Sequence, residues 1–338
     1  MKPRTILAVV VALTAATLAA CGDDTSRVAP REVAATSTDG PLPAPAPGSR
    51  WLSWHDVAVQ VPAAWDAGYE PQTDWCVGQP KPEEPAPAPY FALGPSSGAV
   101  LDIWCADSGE SGPEEFGPAP MFLWAPHIVL EPSDGRPDKT LEYDGWTMTS
   151  RTVGDVRVRM LTRDADDDVD AAAILASARQ FRLDDHGCAP TSPVQSPDFV
   201  RPRPFDVTAV TAADSISLCQ YSRTHEAEAP ALVGSRRIEG DAAQRLLHGL
   251  QEAPAGTGPD KPRNCVDDYY GDTAIAIRIH HDGRTDDVHA YYDWCFGNGT
   301  DDGTQHRELT SRTCAPLFAG TVRLFSYSSF LAPICHPD

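Results

Sequence analysis

The sequence predicts an α+β fold of two strand-rich domains, each a mainly antiparallel sheet with one or two packed helices, braced by disulfides. Three observations carry this expectation. Short segments alternate apolar and polar residues with the period of a strand, while only two segments show the spacing of an amphipathic helix. Of nine cysteines, one stands apart near the N terminus, which leaves an even eight for pairing.

The first domain is placed at residues 51–186. Residues 56–62 alternate, with Val57, Val59 and Val61 on one face. Further strands are expected at 99–105 and 121–130. Segments 146–151 and 156–161 form a hairpin around Gly154-Asp155. Residues 167–181 read as a closing helix: acids crowd its start, Ile174, Leu175 and Ala178 make an apolar stripe, and Arg179 and Arg182 lie near its end.

A proline-punctuated interdomain linker covers 187–204, and the second domain runs from 205 to 338. There 215–221 reads as a strand and 241–252 as a helix turning Leu246, Leu247 and Leu250 inward. Segments 274–281 and 287–295 form a hairpin around Asp282-Gly283.

The N terminus has a different character. Lys2 and Arg4 precede a charge-free stretch over 6–17, too short to span a bilayer and suited to a signal peptide over residues 1–20. Leu18-Ala19-Ala20-Cys21 follows and resembles the lipobox of bacterial lipoproteins, in which the cysteine thiol is acylated. The resemblance implies lipidation of Cys21 and firm anchoring, since lipoproteins of this kind carry several acyl chains. Residues 22–50, rich in Ala and Pro, read with Cys21 as a lipid anchor and a disordered spacer.

Two further resemblances concern the folded part. The strand ending in Val61-Pro62-Ala63-Ala64-Trp65, with Ile174-Leu175-Ala176-Ser177-Ala178-Arg179 in the closing helix, resembles exported actinobacterial lipoproteins, some with a PsbP-like α/β/α sandwich. That family implies no common catalytic site. Leu218-Cys219-Gln220-Tyr221 and Cys295-Phe296-Gly297-Asn298-Gly299 resemble a module of other actinobacterial lipoproteins of unknown function. The order of strand, helix and cysteine-ended hairpin is also similar to secreted subtilisin-inhibitor-type proteins, although the second helix cysteine of that family is absent.

Composition limits the partners. With 27 basic and 48 acidic residues the net charge is −21, and loss of Lys2 and Arg4 takes it to −23. Such a chain repels nucleic acid and anionic headgroups, so no nucleic acid is expected and the membrane is met through lipid on Cys21. The remaining cysteines are Cys76, Cys105, Cys188, Cys219, Cys265, Cys295, Cys314 and Cys335. Without a Cys-x-x-Cys pair, disulfides in an exported chain are favoured over zinc. Their pairing stays open, with Cys76–Cys105 and Cys265–Cys295 the favoured choices.

No cofactor is expected, and no catalytic residue is identified. Gly94-Pro95-Ser96-Ser97-Gly98 has the spacing of Gly-x-Ser-x-Gly but reads as a turn by composition, and Ser-x-x-Lys does not occur. His280 and His289 offer a histidine pair for a transition metal if the hairpin register puts them on one face, against a plain solvated hairpin end. Residues 297–303, with Asn298, Thr300, Asp301 and Asp302, offer oxygen ligands for calcium, but Leu309 stands where an EF-hand needs glutamate. Seven of the eight tryptophans fall in the first domain, and Trp51 and Trp54 are expected to stay partly exposed near the spacer, open to sugar rings or an apolar partner.

These readings converge on a non-enzymatic binding or interaction module on the outer face of the cytoplasmic membrane, with a cell-wall or protein partner. A cell-envelope hydrolase and a secreted protease-inhibitor-like module are the alternatives.

Overall fold

The computed structural model describes residues 41–65, 89–94, 113–116, 121, 124–163, 169–223, 229–260, 273–324 and 331–335. They build three sheets, almost wholly antiparallel, and few helices, so the α+β class is as the sequence predicts.

Three strands make the smallest sheet, in the order β1 (Ser49–Trp54), β2 (Val57–Pro62), β8 (Arg179–Gln180). Its two faces are both buried, and the alternation of β2 shows why. Val57, Val59 and Val61 enter one apolar cluster with Leu52 and Trp54, while Ala58 and Trp51 enter another. A two-sided strand needs small or β-branched side chains on both faces.

The cluster around the valines is completed by a five-stranded sheet and a helix. The strands are β3 (Tyr90–Leu93), β4 (His127–Pro132), β5 (Thr140–Tyr143), β6 (Trp146–Val153) and β7 (Val156–Arg163), in the order β3-β4-β7-β6-β5. Only β3 and β4 run parallel. Gly154, at φ 56°, makes the tight β6–β7 turn expected from Gly154-Asp155. The other face of this sheet carries a small aromatic cluster of Phe116, Trp124, Trp146, Met148 and Leu161.

The closing helix is shorter than the 167–181 expected. α1 spans Ala171–Ser177, with the Asp170 carboxylate accepting from Ala173 N at 2.9 Å as its N-cap. It stops because Ala178 turns extended and Arg179 and Gln180 pair with Ala58 and Val57. Pairing with β2 outweighs continued helix propensity here.

Six strands form the largest sheet: β9 (Ser215–Ser222), β10 (Leu232–Glu239), β11 (Thr273–His281), β12 (Arg284–Tyr291), β13 (Gly299–Asp301) and β14 (His306–Arg307), ordered β10-β9-β11-β12-β13-β14. Asp282 and Gly283, both at positive φ, make the β11–β12 turn. One face packs Ile216, Leu218, Ile275, Ile277 and Ile279 against Leu246, Leu247 and Leu250 of α2 (Gly240–Glu252). Burying each of these leucines is worth about 2 kcal/mol. The other face sends Cys219, Tyr221, Ala274, Ala276 and Tyr291 into the cluster that holds Trp51 and Ala58. That cluster draws from both strand-rich segments, and every described residue lies in one contact-defined unit.

Two disulfides pin this arrangement. Cys188 joins Cys219 in the middle of β9, with Cα atoms 5.6 Å apart. Cys314, in α3 (Ser311–Cys314), joins Cys335, in α4 (Ala332–Cys335), at 4.7 Å. Bridges closing loops of this size contribute about 3 kcal/mol each. Cys295 is also disulfide-bonded; by elimination its partner lies outside the described residues, as do Cys21, Cys76, Cys105 and Cys265. The strand expected at 99–105 lies outside them too.

The spacer predicted over 22–50 ends earlier than expected. Leu42 is buried in the cluster with Trp51 and Cys188, and Trp51 Nε1 donates to Pro43 O at 2.7 Å. One buried leucine and the low entropy cost of ordering prolines are enough to seat this stretch on the fold.

Candidate functional site

The chemistry-bearing residues singled out in the sequence gather around the outer edge of the six-stranded sheet. The β11–β12 register sets Ala276 opposite His289 and Thr285 opposite His280. His280 and His289 therefore do face the same way, but four residues apart along the sheet, about 13 Å. Each is otherwise engaged. His280 Nε2 lies 3.0 Å from Ser217 Oγ and its Nδ1 2.9 Å from Thr285 Oγ1. His289 Nδ1 donates to Val200 O at 2.7 Å. Burial lowers the pKa of both rings, and the cations of Arg237 and Arg278 lower that of His280 further. The pair does not converge on one ion, and no group of three or more His, Cys, Asp or Glu does so among the described residues.

Among the described residues the Ser217–His280 contact is the nearest approach to hydrolase geometry, and its polarity runs the wrong way. Ser217 Oγ donates its proton to His186 O at 2.5 Å, so toward His280 it accepts. A general base must instead receive the serine proton. Ser217 is also fully buried in β9, out of a substrate's reach.

His281 is buried at the hairpin end, with Nε2 3.0 Å from Asp286 Oδ2 and Nδ1 3.4 Å from Asp282 Oδ2. Asp286 also meets Arg284 and Arg203, both at 3.4 Å. Histidine, carboxylates and arginines here satisfy one another.

The glycine-rich loop is a second closed network. Asp301 is buried, and its carboxylate takes two bonds from the Arg201 guanidinium, both 2.8 Å, and one from Gly303 N at 2.8 Å. His306 Nε2 lies 3.2 Å away. Burial alone would raise the Asp301 pKa; the Arg201 bonds and the Gly303 amide outweigh it and hold the group below the usual carboxylate range. Asp302 accepts from the amides of Val207, Thr304 and Gln305. Asn298 accepts from Trp294 N and donates to Pro259 O and Trp294 O. The side-chain oxygens of Asn298, Asp301 and Asp302 are thus occupied by backbone amides and Arg201.

The segment read as a linker packs along this edge and supplies one of these partners, Arg201. Val200 O accepts from His289 and from Tyr291 Oη (2.9 Å), Arg201 grips Asp301, and Phe205 N donates to Asp302 O at 3.1 Å. Residues 199–207 are a strap across β12 and β13. Asp301→Ala should lower stability by about 2 kcal/mol in urea unfolding, less than for a wholly buried pair because Arg201 is half exposed. A loss below about 0.5 kcal/mol, the range of ordinary surface changes, would show that the strap holds without it.

The tryptophans correct the sequence expectation. Trp51 and Trp54 are buried, as are Trp65, Trp124 and Trp146, because residues 41–43 cover Trp51 and the five-stranded sheet covers Trp54. Trp75 and Trp104 lie outside the described residues. Among the described residues the most exposed aromatics are instead Phe296, at 60 % exposure, and Phe199, at 44 %. Phe199 sits 4.4 Å from the Trp294 ring and 4.8 Å from Tyr291, and the Arg223 guanidinium stacks 3.7 Å above Trp294. Phe199, Arg201 and Arg223 escaped the sequence reading; a phenylalanine and an arginine inside a proline-rich link were the available signal for the first two, and nothing local marked Arg223.

No known protein family, curated protein or solved structure matches the chain.

Proposed function

We propose that this chain is a lipoprotein held at the extracytoplasmic face of the cytoplasmic membrane by lipid on Cys21, and that its folded part is a non-enzymatic binding module for a protein or cell-wall partner. The observation that carries the reading is Leu18-Ala19-Ala20-Cys21 at the end of a charge-free stretch too short to span a bilayer. The oxidised state of all five described cysteines suits an exported chain. Among the described residues no helix is long and apolar enough to cross a membrane.

Among the described residues, a binding role is favoured over hydrolysis because the Ser217–His280 contact is buried and of reversed polarity. An inhibitor-like role needs an exposed, disulfide-braced loop, whereas the cysteines of both described bridges are wholly buried.

Palmitate labelling and membrane fractionation of cells expressing the chain test the anchor. Cys21→Ala should abolish the label and release the protein from the membrane fraction. Equal membrane association of the variant would refute the proposal.

A further inference from the structure

The apolar cluster between the three-stranded and six-stranded sheets contains a residue that belongs, by sequence, to the spacer. Leu42 lies in it together with both cysteines of the Cys188–Cys219 bridge. Pro41 pairs in parallel with Leu183, and Leu42 N donates to Leu183 O at 3.3 Å. Farther along, Pro43 O accepts from Trp51 Nε1, and Ala46 N donates to Gln60 Oε1 at 3.1 Å.

The receiving segment is itself tied down. Asp184, next to Leu183, is buried and accepts from Cys188 N at 2.7 Å, from His186 N at 3.0 Å and from the Ser235 hydroxyl of β10. Cys188 is then covalently joined to Cys219 in β9, which is paired on both sides by β10 and β11. A continuous path therefore runs from Leu42 through Leu183, Asp184 and Cys188 to an interior strand of the largest sheet.

We infer that residues 41–47 are a latch that fastens the membrane tether to β9, with the Cys188–Cys219 bridge holding its receptor in place. This rests on the anchor reading above and adds to it the point at which the anchor's pull enters the fold. A lone parallel bridge and one leucine make a weak attachment, and the disulfide keeps the receiving segment from moving away with it. The prolines at 41, 43, 45 and 47 favour the docked form by restricting the undocked one. Residues 22–40 then separate the lipidated cysteine from the latch.

Hydrogen exchange on the full mature-length chain carrying Cys21→Ala tests the latch, because docking is then read without lipid. The amides of Leu42 and Ala46 should exchange at least about 100-fold more slowly than unprotected amides. Adding Leu42→Asp should remove that protection while β11 and α2 stay protected. Adding Cys188→Ser/Cys219→Ser should also speed exchange at Leu42, and where that variant fails to fold, Leu42→Asp alone decides. Unprotected exchange at Leu42 and Ala46 in the parent chain, or unchanged protection in Leu42→Asp, overturns the inference. Failure of acylation shows separately, in the palmitate experiment.

Discussion

Replacing Gly303 by alanine should destabilise the fold by about 3–4 kcal/mol. Two costs add. Gly303 has φ 80°, where an L side chain is strained by about 1 kcal/mol. A Cβ there would also stand 2.5 Å from Pro202 O and 2.7 Å from Pro204 Cα. Both are backbone atoms of prolines in the strap, so neither can swing aside as a side-chain end would, and overpacking of this kind costs up to about 3 kcal/mol. Relief requires the strap to lift, which would pull Arg201 from Asp301 and Val200 from His289 and Tyr291. Gly283→Ala is the control: φ is 71° but no atom lies within 4 Å of the added carbon, so only the strain of about 1 kcal/mol remains. Urea unfolding of both variants decides the matter. Equal losses would mean that the strap yields freely.

The contrast between these glycines shows what the sequence could and could not disclose. Gly283 was legible, because Asp282-Gly283 between two apolar-alternating runs is a local signal for a two-residue hairpin turn. Gly303 was legible only as part of a glycine-rich loop. Its need for closeness comes from Pro202 and Pro204, about 100 residues upstream, and nothing local marks that approach. The same divide runs through the rest of the fold. β2 and α2 were readable because one or two buried faces impose their period on Val57, Val59 and Val61 and on Leu246, Leu247 and Leu250. β10 was not, since its register shifts between Leu232 and Gly234 and Arg236, Arg237 and Glu239 interrupt its apolar pattern. Gly234 is tolerated there because the Thr321 carbonyl crosses where a Cβ would stand. At the candidate site, carboxylates, amide and imidazoles were visible as ligand types, but their partners Arg201 and Val200 lay in a segment whose prolines read as a link. Residue type is local information; the choice between binding an ion and binding the chain's own backbone is not.

Acid should weaken this protein progressively between pH 6.5 and 4, and the buried imidazoles set that window. Burial pushes the His55 ring down to about 4, against a smaller upward pull from Asp56. His127 is likewise lowered to about 4, chiefly by burial, although its Nδ1 is 2.9 Å from Ala125 O. Both rings stack on aromatic neighbours, His55 on Trp54 at 3.6 Å and His127 on Tyr90 at 4.7 Å, and a proton on either ring must be accommodated with less water than in the unfolded chain. Because the folded-state pKa lies below the unfolded value of 6.5, the unfolded chain binds more protons throughout the window. The stabilisation is therefore complete above pH 6.5, falls as pH drops, and stops falling near pH 4. A shift of this size corresponds to at most about 3 kcal/mol per ring. Partial solvent contact of both side chains reduces this to about 1–2 kcal/mol each. His280 and His289, also lowered by burial, act with the same sign. The Asp301 carboxylate, held low by Arg201, contributes fully above the ordinary carboxylate pKa and loses that contribution as pH falls below it, which extends the loss to lower pH. Urea unfolding at pH 7.5, 5.5 and 4.5 should show a falling midpoint, and His127→Gln should flatten the fall by roughly its share. A midpoint constant from pH 7.5 to 4.5 would mean that these rings take up protons in the folded chain as readily as in water, and that their burial costs the cation nothing.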